Sequence, residues 1–166
     1  MHVLIATAGA LPPAPVADFL ERVWRPGFKA SVVTAIQVPR EFLDELAEEA
    51  AEWSPLYPDD ADDRSDDAEA VARYVTERGH KLAEPVVAAL TARNIPTQPI
   101  FVDGSDAADA IVATAETIGA SLIVMGATKR LFDEASWDSI SARVVARART
   151  PTLVGPGARP DGETDE

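Results

Sequence analysis

Five short apolar runs, separated by stretches with helical spacing, constrain this chain more than any other feature of it. Val3-Leu4-Ile5-Ala6, Ser31 to Val38, Pro99-Ile100-Phe101-Val102, Ser121 to Met125 and Pro151-Thr152-Leu153-Val154 all read as strands. Ser121-Leu122-Ile123-Val124-Met125 is almost entirely apolar, as expected of a parallel strand covered on both faces. Between the strands, Val16, Phe19, Leu20 and Val23 mark one helical face, and Ile111, Val112, Ala115 and Ile118 mark another. Strands alternating with helices predict an α/β fold: an open, five-stranded parallel sheet with helices on both faces, of Rossmann-like type.

The helices are read as follows. The first spans 15–24 and is closed by Pro26-Gly27. An amphipathic segment over 40–53 uses Phe42, Leu43 and Leu46. A long helix over 68–93 carries Pro85, which predicts a kink or a break near Gly79. Gly104-Ser105-Asp106 turns the chain and caps a helix that ends at Gly119, and a last helix spans 139–147. Six aspartates within 59–67 repel one another and predict a solvated loop there. The domain is read as 1–155, with 40–67 a variable acidic insertion and 156–166 a flexible acidic tail.

Composition removes several functions. The chain has no cysteine, so disulfides, thiolate metal sites and cysteine nucleophiles are excluded, and a reducing cytoplasm is the expected setting. No secretory leader is read after Met1, and no apolar run reaches the ~20 residues that span a bilayer. The net charge of -13 disfavours nucleic acid as a partner. Gly-x-Gly-x-x-Gly, the Walker loop, Gly-x-Ser-x-Gly and His-Glu-x-x-His are all missing from the sequence. His2 and His80 have no spaced partner for a metal or a triad, and the aspartate run lacks the glycine and spacing of a calcium loop.

Ligands of open parallel sheets bind beyond the strand C-termini, where strand order reverses. That directs attention to 7–10, 38–40, 103–106 and 126–139. Across the last of these, Ala120 to Lys129, then Ser139-Ile140-Ser141-Ala142-Arg143-Val144-Val145 and Thr150-Pro151-Thr152-Leu153-Val154, resemble the C-terminal half of universal stress proteins. That family shows an apolar strand, Gly-x-x-Gly, about nine residues, Gly-Ser/Thr, a helix with Ser-x-Arg-Val, and a closing strand. Gly104 to Ile111 resembles its Gly-Asp-Pro-Ala-Glu-Ala-Ile turn and helix, and Val3 to Gly9 its first strand and turn.

The resemblance implies a five-stranded parallel sheet, a homodimer paired through the final strand, unidentified protein partners, and ATP bound by some members and not others. It carries over as candidate nucleotide contacts Thr7, Gly9, Val38, Gly126, Lys129, Ser139 and Ser141. In the family loop, glycines let backbone N–H groups approach phosphate, and the next helix presents its N-terminus. Here Gly126 matches the first glycine, Lys129 occupies the second position and Asp138 the third, while Ala8 stands where the family has an aspartate. Asp138 opposes a phosphate; Lys129 or Arg130 offsets it in part. The expectation is a non-enzymatic regulatory protein with weak or no ATP binding. The alternative is an ATP-binding switch or slow ATPase, with ATP the candidate cofactor. For Ser139 and Ser141, helix capping competes with phosphate binding, and Trp137 is read as a plug of the loop against the sheet.

Overall fold

The computed structural model describes residues 1–44, 46, 63–127 and 139–157. They form β1 (His2–Ala6), α1 (Pro13–Val23), β2 (Lys29–Ile36), α2 (Asp63–Thr91), β3 (Thr97–Asp103), α3 (Ala107–Thr117), β4 (Leu122–Gly126), α4 (Ile140–Arg147) and β5 (Thr152–Gly155). The sheet has five strands in the order β3-β2-β1-β4-β5, and every pairing is parallel. The predicted fold class is therefore the observed one. Chain order reverses between β1 and β4, so the switch point lies at their C-terminal ends.

Successive side chains on a strand point to opposite faces, and β1 divides its residues accordingly. Val3 and Ile5 join Leu20, Val32, Val86 and Leu90 under α1 and α2. Leu4 and Ala6 join Val33, Ile111, Ile123 and Val144 under α3 and α4. Both faces of the central strands are sealed, which is why their sequences are continuously apolar instead of alternating.

Four expectations need correction. The strand read as reaching Val38 ends at Ile36, whose carbonyl accepts from the backbone N–H of Gly104 at 3.1 Å, and partly buried Val38 follows it. The long helix begins at Asp63, inside the acidic run read as a loop. Acidic residues suit the start of a helix in general, since the dipole favours negative charge there.

No break occurs at Gly79: α2 is continuous through both Gly79 and Pro85. Finally, Leu43, read as a core-facing residue, is exposed, while Phe42 stacks on Tyr74 of α2 with ring centroids 5.0 Å apart. Residues 40–44 are helical, and the remainder of the segment read as the 40–53 helix lies outside the described residues apart from residue 46.

Candidate functional site

At the switch point a crevice of about 140 Å³ opens between the C-terminal ends of β1 and β4, on the face covered by α3 and α4. Ala6 and Met125, register partners on β1 and β4, stand beside Ala35 of β2 in its wall. Ala107 and Ile111 of α3 and Ile140 of α4 form further wall. Thr7 and Leu11 contribute from the turn after β1, and Gly126 and Ala127 from the end of β4. Among the described residues of this wall, Thr7 carries the single polar side chain and none is charged. Small side chains on strand ends leave a narrow apolar slot where larger ones would fill it.

The turn after β1 is built tightly. The hydroxyl of buried Thr7 accepts from the backbone N–H of Gly9 at 3.1 Å. Gly9 has φ +86, a left-handed conformation that side chains disfavour, and a Cβ there would lie 2.8 Å from Leu82 Cδ2. Gly9 thus faces α2, away from the slot. Gly126 ends β4 where a Cβ would come within 3.2 Å of Leu11 Cδ1, so its lack of a side chain lets Leu11 close over the strand.

Both helices that flank the slot have their N-termini capped by their own chain. Asp106 caps α3 by accepting from the N–H groups of Ala108 at 3.0 Å and Asp109 at 3.2 Å. Ser139 caps α4 by accepting from Ala142 N–H at 3.2 Å, and its hydroxyl meets that of buried Ser141 at 3.2 Å. Asp106 also binds Arg143, and Arg147 at 3.3 Å, while Arg147 binds Asp109. The backbone N–H of Asp109 chiefly holds the Asp106 carboxyl below its ordinary pKa of 3.8; desolvation opposes it, and Arg147, Arg143 and the N–H of Ala108 add to the lowering. Hydrogen bonds to Asp106 and Asp109 raise the pKa of Arg147 in return.

Of the residues singled out from sequence, Thr7 and Gly126 stand in the wall of the slot. Gly9, Val38, Ser139 and Ser141 are described but are not in that wall, and Ser139 acts as a helix cap. Lys129, Arg130, Trp137 and Asp138 lie outside the described residues. Sequence reasoning missed Ala35, Ala107, Ile111 and Ile140 as slot residues, and the pairing of Asp106 with Arg143 and Arg147. The four-residue spacing of Arg143 and Arg147 puts both on one face of α4, which was the available signal. Among the described residues, no group of three or more potential metal ligands occurs, and no helix is long and apolar enough to cross a membrane.

Solved structures reproduce the fold. A hypothetical protein whose biochemical function was assigned from its structure aligns with TM-score 0.60 and 18% identity, covering 97% of each chain. A universal stress protein in complex with cAMP aligns with TM-score 0.54 and 20% identity, over 95% of this chain and 98% of that one. A universal stress protein from Archaeoglobus fulgidus in complex with dAMP aligns with TM-score 0.52 and 16% identity, over 93% and 96%. At these identities the likeness establishes the architecture. No curated protein matches the chain by sequence. The family model for universal stress proteins matches residues 27–156, most of the chain and all but the first of its strands and helices, and this chain belongs to the universal stress protein family.

Proposed function

We propose that this protein is a non-enzymatic stress-response regulator that acts through protein contacts as a homodimer, and that it holds ATP weakly or not at all. The observation that carries this reading is the uncharged slot at the switch point. A triphosphate needs cations or free backbone donors, and the described wall offers one hydroxyl. No carboxylate or imidazole among the described wall residues is in place to serve as a general base. A cytoplasmic setting fits the cysteine-free sequence.

The homodimer is proposed to pair along β5. This strand ends the sheet, and it bears Leu153 at 38% exposure, while α4 bears Val145 at 53%. An edge strand with an exposed leucine is a ready surface for a second copy.

A second reading, the slot as a nucleotide site, is favoured by its place at the switch point and by the cAMP and dAMP complexes of the structural neighbours. The two readings separate on heating. Millimolar Mg-ATP is expected to leave the melting temperature unchanged; a clear rise would favour the nucleotide switch. Sedimentation tests the contact surface. The wild type should sediment as a dimer and Leu153→Asp as a monomer, and a monomeric wild type would remove the proposed interface.

A further inference from the structure

We infer that the turn between α1 and β2 is a docking surface for an acidic segment of a partner protein, which sets carboxylates against Arg22 and Arg25, with Lys29 beside them, and an apolar side chain against Trp24 and Phe28. This rests on the proposal above that the protein acts through protein contacts. It adds where a partner other than the second copy binds and what that partner carries.

The sequence marks the place. Residues 22–29 hold three bases and no acid, in a chain with 28 acids against 15 bases. Arg25-Pro26-Gly27-Phe28 is a tight turn at the end of the sheet opposite the slot. Phe28 N–H donates to the Arg25 carbonyl at 3.1 Å, proline stands at the second position, and Gly27 at the third has φ +86. That is the chemistry of a type II turn, and it fixes the spacing of Arg25 and Phe28. Trp24 meets Phe28 edge to face with centroids 5.9 Å apart, and both rings are half-buried. Arg22, Arg25 and Lys29 are exposed, and so is Met1, whose carbonyl accepts from Lys29 N–H at 3.0 Å.

A specific pairing leaves these cations available. Asp18 stands four residues before Arg22 on α1, and Glu21 four before Arg25 just past its end, the spacing at which helical side chains ordinarily pair. Both acids bind Arg93 beyond α2 instead, Asp18 by a hydrogen bond and Glu21 at 3.5 Å. Among the described residues, Arg22 and Lys29 have no carboxylate partner. Arg25 uses Nη1 alone, donating to the carbonyls of Arg22 at 3.4 Å and Trp24 at 2.8 Å. Satisfying the last carbonyls of a helix is an ordinary task for arginine, and it leaves Nε and Nη2 for a carboxylate.

Three cations and two rings suit a short acidic segment better than a polyanion. A nucleic acid or an anionic membrane extends its charge past the patch and meets the rest of a chain of net charge -13, whereas a few carboxylates do not. The place also stays open in the proposed dimer, because β1 and β4 separate β2 from β5.

Fluorescence polarisation with a labelled peptide of alternating glutamate and leucine, added to the intact chain at low salt, tests this. The peptide should bind, and its glutamine counterpart should bind at least about tenfold more weakly, the size of two exposed charge pairs. Arg22→Gln combined with Arg25→Gln should produce the same loss while the protein stays a dimer in sedimentation and melts as the wild type does. Arg93→Gln should weaken the peptide severalfold, because Asp18 and Glu21 then turn to Arg22 and Arg25. An unchanged affinity in that variant would count against the pairing as what keeps the arginines available. No binding at millimolar peptide, or binding that the double variant leaves as it was, would overturn the surface, with the dimer, read separately by sedimentation, still standing. Single-stranded DNA or vesicles of anionic lipid held more tightly than the peptide, and released by the same double variant, would overturn the class of partner.

Discussion

Gly79 lies directly beneath the ring of Phe101: a Cβ at that glycine would be 2.3 Å from Cδ1 and 2.5 Å from Cγ. This contact explains a glycine in the middle of a 29-residue helix, since only a bare Cα lets α2 settle onto β3 at that point. The imidazole of His80, next along the helix, meets the same ring edge to face with centroids 4.6 Å apart. Two effects oppose each other in Gly79→Ala. Alanine is the better helix former by about 1 kcal/mol, whereas overpacking costs about 1–3 kcal/mol. Overpacking should win, lowering stability by about 1 kcal/mol in urea unfolding. In a Phe101→Leu background the same change should become neutral or stabilising. A stabilising Gly79→Ala in the wild type would mean that the ring yields freely.

Thr34 poses the opposite problem, a polar atom with nothing to bond. It sits on β2 opposite Phe101 in the register, is fully buried, and its hydroxyl has no hydrogen-bond partner among the described residues. Valine has nearly the same shape and no hydroxyl to desolvate. Thr34→Val should raise unfolding stability by about 1 kcal/mol, the cost that an orphaned buried hydroxyl ordinarily imposes. A loss of stability would show that the hydroxyl does find a partner in solution.

Asp106 and Gly79 show what could be read from the sequence and what could not. The apolar runs announced the strands and their parallel, doubly covered character, because burial on both faces leaves a direct mark on composition. Asp106 was legible as a cap from Gly104-Ser105-Asp106 alone, since capping is local. Gly79 was not legible. Read locally it weakens a helix, and its purpose depends on Phe101, far along the chain on another element. The start of α2 at Asp63 was missed because repulsion among the aspartates was taken to hold the run in a loop. The slot divides in the same way. Thr7 and Gly126 follow strands visible in the sequence, whereas Ala35 and Ile140 enter the wall only because the order β3-β2-β1-β4-β5 brings their elements to one end of the sheet. Sequence periodicity carries no information on that order.

Asp106 should also leave a signature in the pH dependence of folding. Its carboxyl titrates below the ordinary 3.8 in the folded chain, held there first by the backbone N–H of Asp109 and then by Arg147 and Arg143. A group whose folded pKa is depressed stabilises the fold above its unfolded pKa, and that contribution is lost as pH falls through the folded value. The stabilisation is therefore complete at neutral pH and disappears in the acid range below about 4. Asp106→Asn retains the cap acceptor and loses the charge, so it should be less stable than the wild type at pH 7 and converge on it as the solution is acidified through that range. Asp106→Ala loses the cap as well and should stay below both at every pH. Urea unfolding of the three proteins from pH 7 downward measures this directly. An Asn variant whose deficit is the same at pH 7 and at pH 3 would show that Asp106 acts by shape and capping, and that its ion pairs with α4 contribute nothing.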